Sequence, residues 1–233
     1  MVFFSCLKYS AINQRLLIKW GHEFLIINIE QKRVEFKVGD MIGRSINRFQ
    51  LFGEKENKIA SFSGFYLSLL IFNHKMRKLV SFEQCGIGLN LSRHERMSAL
   101  AVSDHNDFVL LAIKCRWVEC DRVMIFEIRR NKFVLKATLK NKGIQDIRNL
   151  SCCGYYGNHI LWVGFESGAR IERAIIYDFD TETKELRELR EKRTQIQARA
   201  VKGVHRFGND FYYTSCIQNR WISGKIFRLW IKL

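Results

Sequence analysis

One short pattern recurs five times along this chain and constrains its fold more than any other feature. Two apolar residues, the second often aromatic, meet a polar residue; a charged turn and a second apolar run follow. The copies are Ile26-Ile27-Asn28, Ile71-Phe72-Asn73, Ile125-Phe126-Glu127, Ile176-Tyr177-Asp178 and Ile226-Phe227-Arg228. Their polar residues are spaced by about 45 to 54 positions, a near-fixed period of the kind that marks repeat architectures.

The fourth copy shows the unit most clearly. Ile160-Leu161-Trp162-Val163-Gly164 is a β-forming run, and Ala174 to Phe179 is a second one. Asp180-Thr181-Glu182-Thr183-Lys184 turns the chain toward Leu186 and Leu189. Runs rich in β-branched and aromatic residues, bounded by Gly, Asp, Asn and Thr, read as antiparallel hairpins. The third copy repeats this with Ser98 to Val102, Phe108 to Ile113, Val123 to Ile128 and Phe133 to Leu135. Four short strands per unit, repeated, predict an all-β propeller of about five four-stranded blades, approximately 10–40, 44–84, 96–139, 145–190 and 197–233. Val2 to Tyr9 is then either a strand that closes the last blade or the first strand of blade one.

The chain resembles the WD40 repeat family on these residues. Tyr177-Asp178 with Thr181 is similar to the family's Trp-Asp dipeptide and its turn, and Ser98 to Ser103 resembles its opening strand. No true Trp-Asp occurs, and Gly21-His22 falls between strands two and three, so the family's Asp–His–Ser/Thr network is carried onto no blade. The F-box-associated propellers of plants share the hairpin pattern and stay open as an alternative. The resemblance implies a rigid ring that binds proteins through its loops.

Composition agrees with one globular domain over residues 1–233: 47% hydrophobic, 13% aromatic and 27% charged. The longest apolar run, Phe65 to Phe72, is far short of the roughly 20 residues that cross a bilayer. The apolar start lacks a basic flank and a cleavage site. An intracellular protein, cytoplasmic or nuclear, is expected. The seven cysteines have no framework spacing and read as reduced thiols. Cys115 and Cys120 have no second ligand pair, and Cys152-Cys153 point to opposite faces of a strand, so neither a metal nor any other cofactor is expected.

The net charge of +16 points to acidic partners. In a propeller the turns between third and fourth strands emerge on one side. Three consecutive ones are basic: Lys32 and Arg33, then Lys75, Arg77 and Lys78, then Arg129, Arg130 and Lys132. Together they predict a positive crescent for acidic or phosphorylated protein segments. RNA or an acidic membrane surface is the alternative partner, though the turns carry no aromatic for base stacking. Trp117 and Trp221 fall in loops between second and third strands and are candidate contact residues on the opposite face. The basic stretch Lys184 to Lys202 reads as a connector. No nucleophile–base pair, phosphate loop or zinc motif is present, the six histidines are scattered, and only Glu95 and Asp146 sit near first-strand ends as a glycosidase would need. The expectation is therefore a non-catalytic scaffold with no small-molecule substrate.

Overall fold

A computed structural model describes residues 4–10, 15–20, 23–38, 46–52, 57–63, 66–73, 78–86, 95–103, 105, 107–115, 120–142, 147–167, 172–189, 194–196, 201–207, 210–216 and 224–229. Among them there are strands and turns and no helix. The chain is all-β, built as five antiparallel sheets taken in order along the sequence.

The first sheet runs β1 (Phe4–Ser10), β2 (Arg15–Trp20), β3 (Glu23–Asn28), β4 (Arg33–Val38), each strand beside the next. The second runs β5 (Ile46–Phe52), β6 (Lys58–Ser63), β7 (Tyr66–Asn73), β8 (Lys78–Gly86) in the same way. The third holds β9 (Glu95–Val102), β10 (Phe108–Cys115), β11 (Cys120–Arg129) and β12 (Lys132–Lys142). The fourth holds β13 (Ile147–Tyr156), β14 (His159–Ser167), β15 (Glu172–Asp180) and β16 (Leu186–Glu188), with β17 (Thr194–Ile196) also on β15. The fifth has β18 (Val201–Phe207), β19 (Asp210–Cys216) and β20 (Gly224–Leu229).

Two readings are sharpened. Of the two places open to the N-terminal segment, Phe4–Ser10 takes the first sheet, pairing with β2 with Leu7 opposite Ile18. The segment read as a connector after Lys184 contains two short strands, because Leu186–Glu188 extends the hairpin begun by the Asp180 turn and Thr194–Ile196 returns to β15.

The chain divides into two compact units. One comprises Met1–Leu91 and Arg129–Phe133, the other Ser92–Ile128 and Val134–Leu233. In the first, Leu67, Leu69 and Leu70 of β7 are fully buried, as are Ile59 and Ala60 of β6. In the second, Val109 to Ile113, Val123 to Phe126 and Ala174 to Phe179 are buried as unbroken runs. A strand whose two faces are both covered loses the apolar–polar alternation, which is why these middle strands read as continuous apolar segments. β13 packs on β9 and β10, and one core cluster joins Ala99, Leu110, Ile125, Ile147, Trp162 and Tyr177 across the third and fourth sheets. Each large side chain buried there contributes about 1.5–3 kcal/mol. Cys152 and Cys153 are both buried, beside a bulge in the β13–β14 register.

Candidate binding surface on the hairpin turns

The turns between third and fourth strands are tight, and their backbone is unusual. Lys32 has φ 50°, Arg130 and Asn131 have φ 49° and 61°, and Lys184 has φ 62°. Consecutive left-handed residues at Arg130 and Asn131 make a two-residue turn of the I′ kind, whose twist matches that of paired strands. Such a conformation costs an L-residue other than Gly or Asn about 1–2 kcal/mol. A basic residue thus occupies a strained position in each of the three turns.

Side chains hold these turns. In the first, the Gln31 N–H donates to Asn28 Oδ1 at 2.8 Å and the Lys32 N–H to the Ile29 carbonyl at 3.3 Å. In the turn after β15, Asp180 Oδ1 accepts from the N–H groups of Glu182 at 2.8 Å and Thr183 at 3.1 Å. Those donors favour the ionised form and hold the Asp180 carboxyl below its ordinary range.

The recurring polar residue has a physical role in three of the sheets. Asn28 on β3 donates through Nδ2 to Glu35 Oε1 on β4 at 3.0 Å, and Arg15 Nε on β2 reaches Glu35 Oε2 at 2.7 Å. Glu127 on β11 pairs with Lys136 on β12 at 2.5 Å. Asp178 on β15 accepts from Arg187 on β16 through Nε at 2.9 Å and Nη2 at 2.7 Å, while His159 Nδ1 on β14 lies 2.9 Å from its other oxygen. Asp178 is only 3% exposed, and three polar contacts offset the desolvation of its charge. The Arg187 guanidinium is raised above its ordinary range, first by that hydrogen bond and then by the charge of Asp178. Each clamp ties a fourth strand to its sheet. Sequence inspection missed them, although a complementary polar or charged residue stands seven or nine positions after each recurring one.

A second network braces the β9–β10 turn. Ser103 Oγ accepts from the N–H groups of Asp107 at 3.2 Å and Phe108 at 3.0 Å, and donates to Asp107 Oδ1 at 2.7 Å. The Tyr155 hydroxyl from β13 donates to the same carboxylate oxygen, and the His105 ring meets the Tyr155 ring edge-on, centroids 4.1 Å apart. Burial first, and then the Asp107 hydrogen bond, push the Tyr155 phenol well above its ordinary range.

Of the residues singled out from the sequence, Lys32 and Arg33 lie exposed in the β3–β4 turn, and Arg129, Arg130 and Lys132 lie exposed in the β11–β12 turn. Lys78 is the first residue of β8. Lys75, Arg77, Trp117 and Trp221 lie outside the described residues, as does Asp146. Both described basic turns belong to the unit that contains Met1–Leu91. Glu95 is engaged by Arg122, whose Nη2 donates to it at 3.1 Å.

No protein-family model matches the chain, and no curated protein matches it. Solved structures do. A protein from Lactobacillus plantarum matches with a TM-score of 0.59 at 11% identity, over 81% of this chain and 55% of that one. The Dos1 propeller matches with a TM-score of 0.58 at 12% identity, over 91% and 52%. Hydrazine synthase of Kuenenia stuttgartiensis matches with a TM-score of 0.58 at 7% identity, over 89% and 60%. The chain therefore spans 52 to 60% of the length of these structures. No helix among the described residues is long and apolar enough to cross a membrane.

The expectation that this chain is not an enzyme is corrected by these comparisons. A synthase carries a similar fold at 7% identity, so an all-β architecture of this kind does not separate scaffolds from enzymes. The likeness is one of fold: all-β antiparallel sheets with a propeller among the matches.

Proposed function

We propose that the five successive sheets are blades of a WD40-like propeller ring, and that the chain is an intracellular protein-interaction scaffold. It binds acidic or phosphorylated segments of partner proteins through the basic turns between third and fourth strands. The observation that carries this reading is the placement of Lys32 and Arg130 at left-handed turn positions, where glycine or asparagine would be lower in energy. All five described basic residues of these turns are exposed, and none is in an ion pair among the described residues. Strained backbone that holds a charge in solvent favours a recognition role over a purely structural one.

The test is capture of fluorescein-labelled acidic and phosphoserine peptides, read by anisotropy. Replacing Lys32, Arg33, Arg129, Arg130 and Lys132 together by glutamate is expected to abolish binding, while Trp117→Ala with Trp221→Ala measures what the opposite loops contribute. Unchanged binding by the charge-reversed chain would overturn the reading. The net charge of +16 favours a second one, polyanion binding. Under it, unrelated RNAs bind with a shared steep slope of log affinity against log salt, whereas salt-tolerant saturable capture of a peptide supports the scaffold.

A further inference from the structure

Five of the six large apolar side chains exposed among the described residues lie in the hairpins formed by third and fourth strands: Ile29, Val34, Val80, Val134 and Leu135. In the first three sheets the fourth strand is also an edge, since β4, β8 and β12 each end their strand order. Apolar exposure and a strand edge with no partner strand among the described residues thus coincide, in and after the turns discussed above.

β12 is the longest of the described strands at 11 residues, where an average strand has about 5–6. Its sequence, KFVLKATLKNK, contains no acidic residue. Lys132 and Lys140 are exposed and Lys136 is partly so, while Val134 and Leu135 are 40% and 36% exposed. Among the described residues its only hydrogen-bonded neighbour strand is β11. A second copy of this chain laid along the edge would bring lysines against lysines, which opposes self-pairing. A strand rises about 3.4 Å per residue, so Lys132 and Lys140 stand about 27 Å apart on one face, with Lys136 between them held by Glu127. Charge complementarity selects an acidic occupant with apolar residues interleaved.

We propose that the outer edge of β12 takes an extended acidic segment of a partner protein as an added strand. The segment's backbone continues the ladder, its carboxylates meet Lys132 and Lys140 on one face of the strand, and its apolar side chains on the other face cover Leu135. Main-chain hydrogen bonds supply affinity in this mode, and alternate side chains supply specificity. The proposal rests on the reading that basic hairpins recruit acidic partners, and it states how the partner lies.

The experiment uses the full chain and a capped, labelled ten-residue peptide of alternating glutamate and valine. Binding is expected to saturate, to slow amide hydrogen exchange in residues 132–142, and to weaken about tenfold with Lys140→Glu, a residue outside the turn. The same peptide N-methylated at alternate amides keeps its charge and loses main-chain donors, and it is expected to bind at least about tenfold more weakly. If the methylated peptide binds as tightly as its parent while turn reversal abolishes both, strand addition is overturned and the basic-turn reading stands. If neither peptide binds the native chain, both are overturned. Salt-sensitive dimers with β12 amides protected in the absence of peptide would give the edge to a second copy and overturn the proposal.

Discussion

At the scale of residues, a buried carboxylate and a half-buried phenol make separate demands. Asp178→Ala removes the acceptor shared by His159 and Arg187, and the lost charge-assisted hydrogen bonds are expected to destabilise the fold by about 2–3 kcal/mol. Urea unfolding followed by tryptophan fluorescence measures this, and Asp178→Asn should recover part of it. Tyr155 gives a pH signature of defined sign. Its folded-state value is raised above the ordinary 10.0, so the protonated phenol is favoured in the fold. Its contribution is fully present below about pH 10 and declines above it, where the unfolded chain ionises and the folded one does not. Stability measured across pH 8–11.5 should fall at the alkaline end, and Tyr155→Phe should flatten that fall. An equal fall in the Phe variant would assign it to other groups.

At the scale of elements, the hairpins carry their own energetics. Arg130→Asn with Asn131→Gly places the residues that a type I′ turn prefers at the tip of the β11–β12 hairpin. The double variant is expected to raise stability by about 1 kcal/mol and to weaken capture of acidic peptides, so stability and binding move in opposite directions. Thermal melts and anisotropy on the same preparation check both. On β14, a Cβ added to Gly164 would lie 3.1 Å from Tyr177 Cε2 and 3.2 Å from Leu150 Cδ2. Tyr177 is fully buried, so Gly164→Ala is expected to cost about 1–3 kcal/mol through overpacking. The denaturant midpoint reports it, and a neutral outcome would show that β13 and β15 yield at this point.

At the scale of the whole molecule, a net charge of +16 sets a self-repulsion that salt relieves. Raising ionic strength from about 0.01 M to about 0.15 M shortens the screening length from about 30 Å to about 8 Å. The melting temperature is expected to rise over that range, as scanning calorimetry in sodium chloride would show. A fall would mean that ion pairs such as Arg15–Glu35 and Arg187–Asp178 outweigh the general repulsion.

The repeat and the strands were legible because period and β-forming composition are local. Ile125-Phe126 and Ile176-Tyr177 announce third strands, and the Asp180 and Arg130 turns announce their ends, without reference to distant residues. The clamps were not legible in the same way. Asp178 meets Arg187 directly across a strand pair, but His159 lies 19 residues earlier and reaches it only once β14 and β15 are in register. Asp107 and Tyr155 stand 48 residues apart on separate sheets, and packing of β13 on β9 brings them together. The N-terminal strand is a third case. Its alternation fits either end of the chain's sheets, and pairing with β2 decided between them. By itself the sequence determined that the chain is all-β and which turns are charged, because those depend on neighbours along the chain. Tertiary structure alone decided which polar groups satisfy one another and which strand ends each described sheet, because those depend on register and on packing between sheets.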